Sequence, residues 1–118
     1  MKRPLKSRHR PAAPGGPIDL RAINTQALIN LLAVLHRLLP SGRPEGDEYV
    51  ALNPKRADRR LGSFKINLTT GRWADFASGD RGGDAISLVA YLFNISQIEA
   101  ARRLARMLSI DCGGGRTG

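Results

Sequence analysis

Three aspartates, Asp75, Asp80 and Asp84, lie close together in the sequence and are the side chains best suited to metal-dependent chemistry. Paired carboxylates can bind Mg²⁺. However, Asp84 directly precedes an apolar segment of helical periodicity, where it fits an N-terminal cap, and nearby arginines would compete for the other two. His36 lies among leucines, with no cysteine or carboxylate at ligand spacing. We therefore expect no catalytic residue, no bound metal and no cofactor.

The glycine-rich segment 79–84, Gly-Asp-Arg-Gly-Gly-Asp, precedes the same predicted helix. Backbone N–H groups at a helix N-terminus can receive a phosphate. The segment lacks the Lys-Ser/Thr ending of a nucleotide-binding P-loop, and the Asp84 carboxylate would repel an anion. We therefore interpret the segment as a structural turn and expect no nucleotide hydrolysis.

A basic and aromatic surface is the stronger functional signal. Positive side chains beside an aromatic ring provide charge for a nucleic-acid backbone and a flat surface for base stacking. The candidate nucleic-acid-binding residues are Arg56, Arg59, Arg60, Lys65, Arg72, Trp73 and Arg81. The alternative is that Trp73 and Phe76 are buried and the arginines form a solvated rim. Aromatic residues are scarce, so at least one ring must lie in the core; we expect Phe76 there and leave Trp73 open.

Alternating apolar and polar residues predict the hairpin that positions this surface. Phe64, Ile66 and Leu68 alternate with polar residues, a pattern typical of a half-buried strand. Residues 69–71, Thr-Thr-Gly, fit a hairpin loop with the glycine in the left-handed conformation. Residues 72–77 are expected to form the returning strand.

Upstream of the hairpin, Asn24 or Thr25 can cap a first helix that runs to about Leu39. Its broad leucine stripe indicates either a helix central to the fold, which we favour, or a helix with one face left for a partner. Residues 41–48 are predicted to form a loop and residues 49–52 a short strand.

Two further helices are predicted downstream, one from residue 85 to about 94 and one to about 109. The last helix begins at a capping box, Ser-Gln-Ile-Glu at 96–99. The fold class is therefore α+β: a small antiparallel sheet, consisting of a hairpin and a short strand, packed with about three helices.

The charge favours an acidic partner, most simply nucleic acid, because the 118 residues have a formal net charge of +9 and a pI near 11.0. Residues 1–43 hold eight Lys or Arg against Asp19 alone. The Pro-rich segment 1–17 lacks the apolar side chains needed to fold. We expect it to be a disordered basic arm that tethers phosphate; the alternative is a segment that only solubilises the chain or becomes ordered only in a complex. We also expect a flexible tail at 111–118.

The compartment is expected to be the cytoplasm. Cys112 is the only cysteine, which excludes an internal disulfide framework and a Cys-rich zinc site. The apolar run 27–39 is too short to span a bilayer and contains polar residues, so no membrane association is expected.

The order of hairpin, glycine-bearing elbow and helix resembles the zinc-ribbon domain of bacterial and phage primases, over residues 47–110. In that family Cys-Pro-x-His precedes the hairpin and Cys-x-x-Cys ends it. Here Asn53-Pro54-Lys55-Arg56 and Asp75-Phe76-Ala77-Ser78 stand at these positions, so none of the four zinc ligands is present. Residues 83–89 match the elbow and helix, and residues 96–108 the following segment. The resemblance implies a degenerate domain without zinc, preceded by an N-terminal helix and loop at 18–46.

The lost ligands suggest a substitute for the metal. Arg56 and Asp75 stand at a former His and a former Cys position, so they could form a charge-assisted pair. Asn53 and Ser78 could complete its hydrogen bonding. We hypothesise that this polar cluster replaces the metal, whose binding otherwise contributes folding energy. The alternative is that these four side chains are exposed and unrelated.

In primases this domain recognises template DNA and works beside a separate catalytic domain. The resemblance therefore implies a non-catalytic accessory protein of a phage, plasmid or other mobile element. Such a protein would bind nucleic acid, with single-stranded DNA preferred, and act with a primase, helicase or other replication protein in trans. The alternative is a small mobile-element protein that binds and modulates another protein, as an inhibitor or adaptor.

Overall fold

The computed structural model describes residues 18–56 and 61–109. Within these residues the chain forms four helices and a five-stranded antiparallel sheet, so the predicted α+β class is confirmed. The sheet has two more strands, and the fold one more helix, than expected. The predicted disordered arm at 1–17 and the predicted tail at 111–118 lie outside the described residues.

The helices of the described chain are α1 (Leu20–Ile29), α2 (Leu31–Leu38), α3 (Ala85–Phe93) and α4 (Gln97–Leu108). The expectation of one helix from Asn24 or Thr25 to Leu39 was wrong. Asp19 caps α1 five residues earlier by accepting a hydrogen bond from the backbone N–H of Ala22 (3.0 Å), and the backbone at Asn30 separates α1 from α2. The Asn24 side chain instead accepts a hydrogen bond from the backbone N–H of Ile86 (3.1 Å) and joins α1 to the start of α3.

The sheet contains five strands that are neighbours in chain order: β1 (Arg43–Glu45), β2 (Glu48–Ala51), β3 (Phe64–Asn67), β4 (Trp73–Asp75) and β5 (Arg81–Gly82). The predicted short strand is confirmed as β2. The loop predicted at 41–48 contains β1, whose side chains are all exposed but whose backbone pairs with β2. Because all the residues of β1 are exposed, its sequence shows no alternation of apolar and polar residues. Its extended conformation comes from pairing with β2.

The β3–β4 hairpin is confirmed. Phe64 and Ile66 are fully buried, and the intervening Lys65 lies on the opposite side of the sheet. The Asn67 side chain accepts hydrogen bonds from the backbone N–H groups of Thr69 and Thr70 (2.8 and 2.9 Å). Gly71 has φ +81°, the left-handed conformation that favours glycine.

Two layers of buried side chains hold the helices to the sheet and to one another. The first layer lies between the sheet and α2 and α3, and it includes Leu35, Phe64 and Leu88. The second lies among the helices and includes Val34 of α2 and Leu104 of α4. α2 is therefore central to the fold, as we favoured from its leucine stripe.

Side-chain caps set the beginnings of α3 and α4. Asp84 and Ser87 form a capping box, as Asp84 accepts from the Ser87 backbone N–H (2.8 Å). Ser96 accepts from the backbone N–H of Glu99 (3.1 Å), which confirms the predicted start of α4. Ile98, the second residue of α4, is 42% exposed. None of the helices in the described part of the chain combines the length and apolar character that crossing a bilayer requires.

Candidate nucleic-acid interface and buried polar cluster

The side of the sheet turned away from the helices carries three of the predicted basic residues, Lys65, Arg72 and Arg81, and we call it the open face. Strand alternation places Trp73 and Asp75 on the helix side of β4, so the even-numbered residues of this segment point the other way. The open face comprises Lys65, Asn67, Arg72, Ala74, Phe76 and Arg81. These residues line a shallow groove of about 700 Å³ together with Glu48, Thr70, Trp73, Gly82 and Gly83.

The strand register determines the spacing of the charges. Lys65 pairs with Ala74, and Ala74 pairs with Arg81, so the two cations flank a small side chain. They are two strand spacings apart, about 10 Å. Glu48 reduces the net charge, with its Oε1 3.7 Å from the Lys65 Nζ. Among the described residues, no carboxylate forms an ion pair with Arg72 or Arg81.

Trp73, which the sequence left open between a stacking role and the core, lies in the core. The indole is 5% exposed and packs edge-on against Phe64. Its Nε1–H donates a hydrogen bond to Ser87 Oγ (3.0 Å). Trp73 is directly opposite Ile66 on the buried side of the hairpin, and the Tyr91 ring lies 4.7 Å from its ring centre, so little of the indole is accessible to a base.

Phe76, expected in the core, is 71% exposed, and that expectation was wrong. Its backbone N–H pairs with the carbonyl of Ser63 (2.8 Å), so it continues β4 by one residue with its side chain on the open face. Phe76 is the residue that sequence reasoning missed as a candidate stacking ring. The signal was the odd spacing between Trp73 and Phe76, because residues three apart on a strand point to opposite faces.

The remaining candidates separate into two groups. Arg56 belongs to the polar cluster described next, with its side chain 33% exposed. Arg59 and Arg60 fall within 57–60, outside the described residues.

The predicted polar cluster of Asn53, Arg56, Asp75 and Ser78 is assembled around the Asp75 carboxylate, which is fully buried. Arg56 Nε donates to Asp75 Oδ2 (2.8 Å), and Asn53 Nδ2 donates to the same oxygen (2.7 Å). The backbone N–H groups of Ala77 and Ser78 donate to Oδ1 (2.9 and 3.3 Å). Ser78 thus contributes its backbone, while its hydroxyl donates to Asp80 Oδ2 (3.1 Å).

This arrangement stabilises the charged form of Asp75. Burial by itself would raise the pKa of the carboxyl, because it disfavours the charge. Hydrogen bonds from Asn53, the Ala77 backbone, Arg56 and the Ser78 backbone outweigh that effect and lower the pKa to about 2.

Tyr91 on α3 extends the cluster to a second carboxylate, a link that sequence reasoning missed. Its hydroxyl accepts from Asn53 Nδ2 (2.9 Å) and donates to Asp80 Oδ2 (2.7 Å). Burial and the nearby Asp80 raise the pKa of Tyr91. Tyr91 is 38 residues from Asn53, so no local pattern could have indicated the contact.

The elbow before α3 is a structural turn, as expected. β5 lies within it, and the backbone N–H groups of the second and third residues of α3 already have protein acceptors. Asp84 accepts from Ser87, and Asn24 accepts from Ile86. These are the N–H groups that a phosphate would need.

The polar cluster does not fit a zinc ion. A guanidinium and an amide N–H occupy the sides of Asp75 Oδ2 where a cation would bind, and zinc prefers thiolate, imidazole and carboxylate ligands. Among residues 18–56 and 61–109, no three His, Cys, Asp or Glu side chains are grouped closely enough to hold a metal ion.

No model of a known protein family matches the chain, and no curated protein does. The resemblance to the primase zinc ribbon therefore stays a prediction that rests on the residues at 53–56, 75–78 and 83–89.

Proposed function

We propose that this protein binds single-stranded nucleic acid, most simply DNA, on the open face of its sheet and catalyses no reaction on it. In this proposal the protein is an accessory factor of a mobile element such as a phage or plasmid. It acts in the cytoplasm with a primase, helicase or other replication protein in trans, as the resemblance to the template-binding domain of primases implies.

The observation that carries the proposal is the combination of Lys65, Arg72 and Arg81 with the exposed ring of Phe76 around one shallow groove. Cations track the phosphates of a single strand, while an exposed ring stacks with a base of any identity. The three cations outnumber Glu48, the acidic residue of the groove. A shallow, open groove also suits a flexible strand, which can adapt its backbone to the sheet.

The test measures the salt dependence of binding to a fluorescein-labelled oligothymidylate of about 20 nucleotides. For single strands the slope of log K against log salt is about −0.7 for each phosphate neutralised. Replacing Lys65, Arg72 and Arg81 together by alanine is expected to make the slope about 2 units shallower. Fluorescence anisotropy over about 50 to 300 mM salt would measure this change.

The matched control replaces three arginines of α4 by alanine: Arg102, Arg103 and Arg106. This variant has the same net charge as the open-face variant, and we expect it to keep the wild-type slope. If both variants weakened binding equally, net charge rather than the open face would account for the affinity. If the wild-type protein did not bind the oligonucleotide at low salt, the proposal would be wrong.

A second candidate function, an inhibitor or adaptor that binds another protein, is favoured by an exposed apolar patch at the α1–α2 junction. Ile29 is 69% exposed, and Leu28 and Leu32 are 37% and 41% exposed. Co-purification with and without nuclease treatment separates the two functions. A protein partner retained after nuclease treatment, and lost on Ile29→Glu substitution, would support the second.

A further inference from the structure

A second basic surface lies on the opposite side of α3 from the sheet, between α2, α3 and α4. We call it the arginine groove; it has a volume of about 420 Å³. Its positively charged side chains are Arg37, Arg103 and Arg106, and its apolar ones include Val89, Phe93 and Met107. Val89 belongs to the core among the helices, which places the groove away from the open face.

The groove combines an apolar surface with an excess of positive charge. Phe93 is 46% exposed, an unusual exposure for a large apolar side chain. The Arg103 guanidinium lies 4.8 Å from the centre of the Phe93 ring and covers part of one of its faces. Glu99, the acidic residue of the groove, lies 3.7 Å from Arg102 and so is partly neutralised from outside the groove.

We propose that the arginine groove binds an acidic amphipathic segment of a partner protein. Apolar side chains of such a segment would pack on Phe93 and Met107, and its carboxylates would meet the guanidinium groups, whose planar shape suits two parallel hydrogen bonds. The site is independent of the open face and does not rest on the proposed nucleic-acid function.

Charge complementarity selects this occupant over the others. The chain's own segment 1–17 holds five Lys or Arg and no acid, so the arginines would repel it. A nucleic-acid strand would satisfy the arginines but would leave the apolar half of the groove without a matching surface. Arg103 also takes up part of the Phe93 ring on which a base would stack. An acidic segment with apolar side chains satisfies both halves.

The test uses the full chain and a fluorescein-labelled peptide of about 16 residues, with Leu at helical spacing and Glu between them. A second peptide carries Lys in place of each Glu. We expect the acidic peptide to bind, and the variant with Arg103→Glu and Arg106→Glu to lose about tenfold or more in affinity. Arg21→Glu, a charge reversal at an exposed position of α1 outside the groove, is expected to change the affinity by less than about twofold. Circular dichroism checks that each variant keeps its helices.

Several outcomes would overturn the proposal. These are equal binding of the acidic and basic peptides, equal effects of the groove and Arg21 variants, or no binding of the acidic peptide. If the groove variant weakened oligothymidylate binding as much as peptide binding, the groove would be part of a nucleic-acid surface instead. Sedimentation measures whether the chain self-associates. If the peptide only displaced a second copy of the chain, the groove would be a self-association surface instead. If the protein bound the peptide but not the oligonucleotide, the proposal for the open face would be wrong and the proposal for the arginine groove would stand.

Discussion

Replacing Asp75 by asparagine is expected to destabilise the protein although the side chain keeps its shape. Both carboxylate oxygens accept hydrogen bonds: Oδ2 from Asn53 and Arg56, and Oδ1 from the backbone N–H groups of Ala77 and Ser78. An asparagine amide has one accepting oxygen and one donating nitrogen. Whichever way it turns, its NH₂ group faces two donors, and two hydrogen bonds are lost.

The expected loss in free energy of unfolding is about 3 to 5 kcal/mol, the range for removing one partner of a buried ion pair. The charge accounts for part of it. A pKa lowered from 3.8 to about 2 corresponds to about 2 kcal/mol of stabilisation of the charged form. The two unsatisfied donors account for the rest, because each buried unsatisfied group costs about 1 to 3 kcal/mol.

The pH dependence gives an independent check of the same reasoning. The folded-state pKa of Asp75 lies below its unfolded value, so its stabilisation is present in full above the unfolded pKa. It is lost as the pH falls from there towards about 2. Urea unfolding followed by circular dichroism measures the difference in free energy of unfolding between wild type and Asp75→Asn. As the pH falls from about 6 to about 2, this difference is expected to decrease by nearly ~2 kcal/mol. Adding EDTA is expected to leave the wild-type curve unchanged.

Asp47→Asn is the matched control, because Asp47 is an exposed residue of the β1–β2 turn. The same loss of charge there is expected to change the stability by less than about 0.5 kcal/mol. Two results would refute the idea that the cluster holds the hairpin to the preceding loop. One is an Asp75→Asn variant as stable as the control; the other is a stability difference between wild type and Asp75→Asn that does not change with pH. A wild-type Tm lowered by EDTA would refute the idea that hydrogen bonds have replaced a metal.

The two aromatic residues near the end of β4 are expected to respond in opposite ways. Trp73→Ala should cost about 3 to 5 kcal/mol of stability in a denaturant titration. Phe76→Ala should change the stability by less than about 0.5 kcal/mol but weaken oligothymidylate binding by about tenfold. The reverse pattern would contradict the assignment of the two rings. Gly82→Ala should lower the Tm, because its Cβ would lie 2.5 Å from the indole nitrogen of Trp73 and 2.5 Å from Ser87 Oγ. Gly83→Ala, where no atom lies within 4 Å of the added Cβ, should have little effect, and equal Tm values for the two variants would argue against the close approach.

Signals that act over a few residues were readable from the sequence. The alternation of Phe64 and Ile66, the glycine at position 71 and the cap at Asp84 depend only on neighbouring residues, and each is where it was predicted. The pairing of Arg56 with Asp75 was also predicted, but through the resemblance to primases rather than from any local pattern.

Other features depend on partners that are distant in the sequence. Asn24 has the right chemistry for a local cap, yet it caps a helix that begins about sixty residues later. Trp73 and Phe76 lie on opposite faces of one strand, and local propensity does not say which face is covered. The pairing of Trp73 with Ile66 and the packing of α3 onto that side bury one ring and expose the other. Burial is a property of the assembled layers, so the composition of the open face follows from how the sheet and helices pack together.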